Sequence, residues 1–70
     1  MFMVHLSSRE RDVLTRVGKH MTSKDIAIEL KISPRTVHAC LENIYFKLRV
    51  SGYGARAKAY SEAVKLNLID

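Results

Sequence analysis

The stretch TSKDIAIELKISPRTVHACLENIYFKL, residues 22–48, decides the fold that this sequence predicts. Its first part places Ile26 and Ala27 on one face of a short helix, and the residues KIS then interrupt the helical spacing. Ser33 is the predicted N-cap of the next helix, and Pro34 occupies the first helical position, where its missing N–H costs nothing. Two helices joined by such a short turn are typical of a helix-turn-helix.

Capping signals and apolar spacing predict four short helices along the chain. Ser7 and Glu10 form a predicted capping box before the first helix, and Thr22 and Asp25 form a weaker one before the second. The glycines of RVSGYGA separate the third helix from the last. The predicted fold class is therefore all-α, four short helices with a central helix-turn-helix, in a single domain over residues 1–70. The predicted helices cover residues 8–19, 23–30, 34–48 and 55–67.

The charge balance indicates a polyanionic partner. Lys and Arg number 12 against 7 Asp and Glu, which gives a net charge of +5. In so small a domain this excess favours nucleic acid, although a basic surface without a partner is the alternative. No apolar run approaches the roughly 20 residues of a membrane span, and no signal peptide is recognised. We expect no membrane association and a location in the cytoplasm, at the nucleoid.

The reactive side chains argue against other functional classes. Cys40 is the single cysteine, so an internal disulfide is excluded, and no Cys and His residues have zinc-finger spacing. No nucleophile, base and orienting group come together in the sequence. We therefore expect neither enzymatic activity nor a metal or cofactor.

Several blocks of the sequence resemble a known family. LSSRERDVL, TSKDIAIELKIS and TVHACLENIYFKLRV are similar to the DNA-binding domain of the LuxR/GerE family of bacterial transcription regulators, and the resemblance runs from Leu6 to Ile69. It implies a four-helix domain that binds double-stranded DNA sequence-specifically, with the third helix in the major groove. It also implies a homodimer formed through the last helix. RNA polymerase is a candidate further partner.

The predicted DNA-binding residues lie on the second and third helices. Lys24 and Lys47 match lysines of the family and resemble phosphate contacts, although both could simply be solvated. On the outward face, His38 can donate to guanine and Glu42 can accept from cytosine N4, whereas an i, i+4 surface pair is the alternative for these two. Ala39 can touch a thymine methyl group. The full predicted set is Lys24, Ser33, Arg35, Thr36, His38, Ala39, Glu42 and Lys47.

The sequence also departs from the family pattern. Glu42 stands where family members often have a hydrogen-bond donor. His20 replaces a glycine in the first turn, so we expect that turn to be strained or differently shaped. The loop before Arg56 is longer than usual, which could shift the last helix. On that helix the predicted dimerisation residues are Ala57, Tyr60, Ser61 and Val64. Core packing is the alternative for Tyr60.

Two other functions remain open from the sequence. One is a helix-turn-helix fold reused as a protein–protein interaction module in transcription control, which Glu42 and the long loop support. The other is a promoter-reading module like the last domain of a sigma factor. The block KLRV and the final LNLI favour the regulator family over the sigma factor.

Overall fold

The computed structural model describes residues 4–69, which form helices and turns without a strand. The helices are α1 (Ser8–Gly18), α2 (Ser23–Leu30), α3 (Pro34–Leu48) and α4 (Ala55–Lys65). The predicted all-α fold class is confirmed, and the helix-turn-helix is the pair α2 and α3. None of these helices combines the length and apolar character needed to span a bilayer. Residues 1–3 and 70, the ends of the predicted domain, lie outside the described range.

Side-chain caps start the first three helices. Ser7 Oγ accepts from the Glu10 amide at 3.1 Å, while the Glu10 carboxylate accepts from the Ser7 amide at 2.9 Å. Thr22 and Asp25 make the same reciprocal pair at 3.1 and 3.3 Å. Ser33 caps α3, with Pro34 inside the first turn. These bonds satisfy amides that the start of a helix leaves without intrahelical partners, as the sequence predicted.

Each of the four helices is followed, within two residues of its end, by a non-glycine residue in the left-handed conformation. At the end of α1 the His20 amide donates to Val17 O at 2.9 Å and the Met21 amide donates to Arg16 O at 3.2 Å. The same pair of bonds recurs after α2, α3 and α4. The left-handed residues are His20, Lys31, Arg49 and Asn67, with φ between 56° and 63°. The strain predicted at His20 is thus present, and it recurs at every helix end.

The hydrophobic core is built around α3, which packs against the other three helices. Leu68 and Ile69 lie half-buried against it. The side chain of Leu66 is 46% exposed, because α4 ends at Lys65 and Leu66 begins the turn. The fully buried side chains of largest volume are Leu14, Ile26, Ile44, Val13 and Val37.

Two arginines join the helix-turn-helix to the other helices. Arg16 Nε of α1 donates to Glu29 Oε1 of α2 at 2.6 Å. Arg56 Nη2, in the first turn of α4, donates to the carbonyl oxygen of Met21 at 3.3 Å, in the turn before α2. These contacts link α2 to α1, and the turn before α2 to α4.

A close approach between α1 and α4 depends on the absence of a side chain at Gly18. A Cβ atom placed on Gly18 would lie 2.1 Å from Tyr60 Cε1, closer than any non-bonded contact allows. The ring of Tyr60 therefore packs directly on the backbone of α1. Tyr60 thus packs within its own chain and is half-buried there, which is the alternative that the sequence left open for this residue.

Candidate nucleic-acid interface

Helix α3 has a buried face and an exposed face along its whole length. The buried face repeats at intervals of four, three and four residues: Val37, Leu41, Ile44 and Leu48. A second row has the same intervals but is offset by two residues, which places it about 200° around the helix. All members of this second row are exposed: Arg35, Ala39, Glu42 and Phe46. We call these four residues the outward row.

Local hydrogen bonds shape the start of α3. The Thr36 amide donates to Ser33 Oγ at 3.1 Å, and the Val37 amide donates to Ser33 O at 3.1 Å. The Thr36 amide is therefore already used within the helix start, and Pro34 has no N–H to offer to a phosphate. The two hydroxyls lie 3.0 Å apart, and either can donate to the other. One hydroxyl proton therefore stays available to a phosphate oxygen.

Exposed cations lie on α2 and α3 and directly after these helices. Lys24 lies in the first turn of α2, and Arg35 begins the row itself. Lys31 and Arg49, at the left-handed ends of α2 and α3, are exposed as well. None of these four cations forms an ion pair with another of residues 4–69. Their charges therefore stay available to a polyanion, because no carboxylate neutralises them at close range.

Lys47 is placed differently from the other predicted phosphate contacts. Its Nζ atom donates to Glu10 Oε1 at 2.7 Å and to the carbonyl oxygen of His5 at 3.0 Å. The side chain thus ties α3 to the start of α1 and to the segment before it. The ammonium group has three N–H bonds, so one is left for a phosphate oxygen.

Glu10 is the buried charge of this network, with only 6% of the residue exposed. Burial by itself raises the pKa of the Glu10 carboxyl, but the hydrogen bonds from Lys47 and the Ser7 amide, together with the Lys47 charge, outweigh it. The pKa is therefore held below its usual value of 4.5. The carboxylate stays ionised at neutral pH because each of its strong contacts favours the charged form.

His38 and Glu42 do not pair with each other. Both side chains are exposed one turn apart on α3, yet no hydrogen bond or ion pair joins them in the described part of the chain. The surface pair that was the alternative for these two residues is absent from this structure. Their polar atoms remain available to an external partner.

Cys40 lies half-buried against the core, on the flank of α3 toward α1. Burial raises the pKa of the Cys40 thiol, as does the nearby charge of Glu10, so the thiol stays protonated at neutral pH. It behaves as a small apolar side chain. Within residues 4–69 no three His, Cys, Asp or Glu side chains are grouped so that they could hold a metal ion.

The predicted dimerisation residues separate into two groups. Ala57, Ser61 and Val64 are exposed on the face of α4 that is opposite the buried Ala59 and Ala63. Tyr60 is half-buried at the edge of this face, where its ring packs on Gly18.

Sequence reasoning missed two features of this surface. Phe46 belongs to the outward row, and the interval of four residues from Glu42 was the signal that could have placed it there. The ion pair between Lys47 and Glu10 joins residues 37 positions apart, so no local spacing could have indicated it.

Comparison with known proteins shows the same fold and pattern. The family described as bacterial regulatory proteins, luxR family, matches residues 4–60. The chain is similar to the solved "Structure of Transcription factor, GerE", with a TM-score of 0.84, 37% identity, and coverage of 93% of this chain and 92% of that one.

The chain is also similar to several proteins that are named as transcriptional regulatory proteins. "Probable transcriptional regulatory protein NarL" of Mycobacterium tuberculosis is 42% identical over 65 residues, which cover 93% of this chain and 29% of that protein. "Uncharacterized transcriptional regulatory protein YhcZ" of Bacillus subtilis is 41% identical over 63 residues, 90% of this chain and 28% of that protein. "Transcriptional regulatory protein UhpA" of Escherichia coli is 46% identical over 46 residues, 66% of this chain and 24% of that protein. The chain therefore spans less than a third of each of these relatives, and it belongs to the luxR family of bacterial regulatory proteins.

Proposed function

We propose that this chain is a sequence-specific DNA-binding transcription regulator whose helix α3 lies in the major groove. The observation that carries the proposal is the exposed outward row of α3, which lies opposite a fully apolar face, while the helix-turn-helix also carries exposed cations without an ion-pair partner among residues 4–69. A major groove admits one α-helix, and neutralised phosphates supply most of the affinity. This function requires neither a catalytic residue nor a cofactor.

Phosphate contacts are assigned to side chains at the border of this row. Lys24 and Arg35 bring unpaired charges, and the Ser33–Thr36 hydroxyl pair has one proton left to donate. Lys47 can add a single N–H while it continues to hold Glu10. Such contacts position the helix on the duplex but carry no sequence information directly.

Base contacts are assigned to the side chains that face the groove floor. His38 is suited to guanine O6 or N7, and Glu42 is suited to the cytosine N4 amino group. Ala39 lies between Arg35 and Glu42 in the outward row and can touch a thymine methyl group. Glu42 is repelled by every phosphate, so it is expected to sharpen the choice of sequence rather than to add affinity.

The last helix is proposed to form a homodimer, with RNA polymerase as a further partner and the nucleoid as the location. Ala57, Ser61 and Val64 supply an exposed strip of small and apolar side chains on α4. The substitution Val64→Glu should shift the domain to a monomer in sedimentation equilibrium and weaken binding to a two-half-site duplex. The wild type and Val64→Glu should bind a half-site duplex equally well. Lys58→Glu, on the same helix, is the control for added negative charge.

Salt dependence of duplex binding tests the phosphate assignments. Lys24→Ala should weaken binding to all sequences alike and reduce the slope of log K against log salt by about 1. Lys58→Ala removes the same charge from an exposed position on α4, outside the helix-turn-helix, and should leave the slope unchanged. An equal reduction of the slope in both variants would show that it depends on the overall charge of the domain rather than on a contact at Lys24.

Selection of duplexes from a random pool tests the base assignments. Glu42→Ala and His38→Ala should each change the preferred base at one position per half-site, by the roughly 5- to 160-fold that a lost base contact of about 1–3 kcal/mol implies. An unchanged preferred site in both variants would remove these residues from the readout.

The alternative function is a protein–protein interaction module that has kept this fold, and the exposed carboxylate of Glu42 favours it. The salt series separates the two functions. An interaction module should show almost no salt-dependent retention of random duplex DNA, whereas a DNA-binding domain should show it before any target site is known.

A further inference from the structure

Phe46 is an aromatic side chain that the fold leaves uncovered. It is 85% exposed near the end of α3, although a buried phenyl ring of this size would stabilise the domain. Isolated exposed apolar residues are common and need no explanation. Phe46 differs from the similarly exposed Ile28 because it continues the row that begins with Arg35.

The surroundings of Phe46 favour a polyanion as its partner. Phe46 lines a surface groove at the end of α3 together with the cationic side chains of Lys47 and Arg49 and with His5. No Asp or Glu lines this groove. An acidic protein and a DNA duplex both suit such charges. The straight continuation from Glu42 to Phe46 favours DNA, because one face of one helix can follow a single major groove.

The spacing along α3 says which base pair Phe46 reaches. Residues four apart on one helix face are separated by about 6 Å along the axis, at about 1.5 Å per residue. Base pairs are stacked about 3.4 Å apart. Phe46 therefore meets the groove about two base pairs beyond the pair under Glu42, on the side away from Ala39.

We propose that Phe46 is a specificity-determining residue that packs on a thymine methyl group about two base pairs beyond the pair addressed by Glu42. The thymine C5-methyl group is the one apolar feature that a base presents in the major groove, and phenylalanine is among the side chains that contact it. The proposal rests on the proposed function, and it extends the base readout by one further turn of the recognition helix. The neighbouring cations Lys47 and Arg49 would bind the flanking phosphates near the ring.

Thymine-to-uracil exchange tests this contact, because it removes one methyl group and changes nothing else in the groove. Each thymine of the duplex selected by the wild-type domain is exchanged in turn, and dissociation constants are measured at fixed salt. For the wild type, exchange at the stated position should weaken binding about fourfold, the factor for one buried methyl group. Phe46→Ala should bind the thymine and uracil duplexes equally at that position, while Ile28→Ala should behave as the wild type.

The outcomes separate this proposal from the function on which it rests. Binding without a thymine preference at that position, or the same uracil effect in wild type and Phe46→Ala, overturns the role of Phe46 and leaves DNA binding intact. If Phe46→Ala keeps the thymine preference but no longer activates transcription by RNA polymerase, Phe46 is assigned to a protein contact, which also overturns the proposal. Absence of any duplex binding by the wild type overturns both.

Discussion

The first three helices and the last one begin in different ways. Ser7, Thr22 and Ser33 each place a side-chain oxygen on the amide of the third helical residue. The N-cap residue of α4 is Gly54, which has a left-handed conformation with φ 76° and provides no side-chain cap. The preceding loop contains a second left-handed glycine, Gly52, and the fully exposed Tyr53. The recognition helix is thus fixed by local bonds, whereas α4 is placed by its packing.

The different helix starts match the different roles proposed for α3 and α4. The orientation of α3 decides which bases its outward row can reach, and small displacements of such contacts are costly. α3 therefore has a cap at its start and the Lys47–Glu10 ion pair near its end. α4 is held mainly through the buried Ala59 and Ala63 and the ring of Tyr60 on Gly18.

The largest effect is expected from breaking the ion pair that holds the end of α3. Glu10→Gln keeps a side chain that can complete the capping box but removes the charge facing Lys47, so we expect a loss of about 1.5–3 kcal/mol in the free energy of unfolding at pH 7. Because the folded pKa of Glu10 is lowered, its contribution is present above pH 4.5 and is lost as pH falls below it. Urea unfolding at several pH values measures both effects.

The control for this prediction is Glu62→Gln, which removes a carboxylate whose pair with Lys65 is exposed and 3.9 Å long. It should change stability little. Equal effects of the two variants, or an unchanged acid dependence in Glu10→Gln, would contradict the account of the ion pair.

A smaller effect is expected at the contact between α1 and α4. Gly18→Ala should destabilise the domain by about 1–2 kcal/mol, because the new methyl group displaces the ring of Tyr60. In a Tyr60→Ala background the same change should be neutral or stabilising, since alanine is the better helix former. Thermal unfolding of the four proteins measures the coupling, and additive effects would mean that Tyr60 does not pack on Gly18.

The smallest effects compare the two kinds of helix start. Ser33→Ala should cost about 1 kcal/mol because the cap is lost, whereas Ser33→Gly should cost only a few tenths. Gly54→Ala should cost about 1 kcal/mol for another reason: nothing lies within 4 Å of the new methyl group, but φ is 76°. A neutral Gly54→Ala would show that the loop can rearrange, which would remove the contrast between α3 and α4.

Local signals explain why the fold was predictable from the sequence. Ser7, Thr22 and Ser33 mark the helix starts, and the spacing from Val37 to Leu48 places the core face of α3. The helix ends were harder: α1 was expected to reach residue 19 and α4 residue 67, whereas they end at Gly18 and Lys65. Lysine, arginine and histidine give no local sign of a left-handed conformation.

The candidate site was predictable only in part, because its residues depend on different ranges of sequence. The exposed positions from Arg35 to Glu42 followed from helical spacing. That Lys47 turns toward Glu10 required knowledge of how α1 packs on α3, which no spacing within α3 supplies. The use of the Thr36 amide by Ser33 followed from the cap, but its consequence for phosphate binding appeared only in the geometry.

The central claim is that the outward row of α3 faces the duplex, and amide chemical shifts during titration with the selected duplex test it most directly. We predict that the largest changes occur at Lys24 and along α3 at Arg35, His38, Glu42 and Phe46, with small changes at Ser61 and Val64. Changes confined to the outer face of α4, with the signals of the outward row unmoved at saturation, would contradict the account.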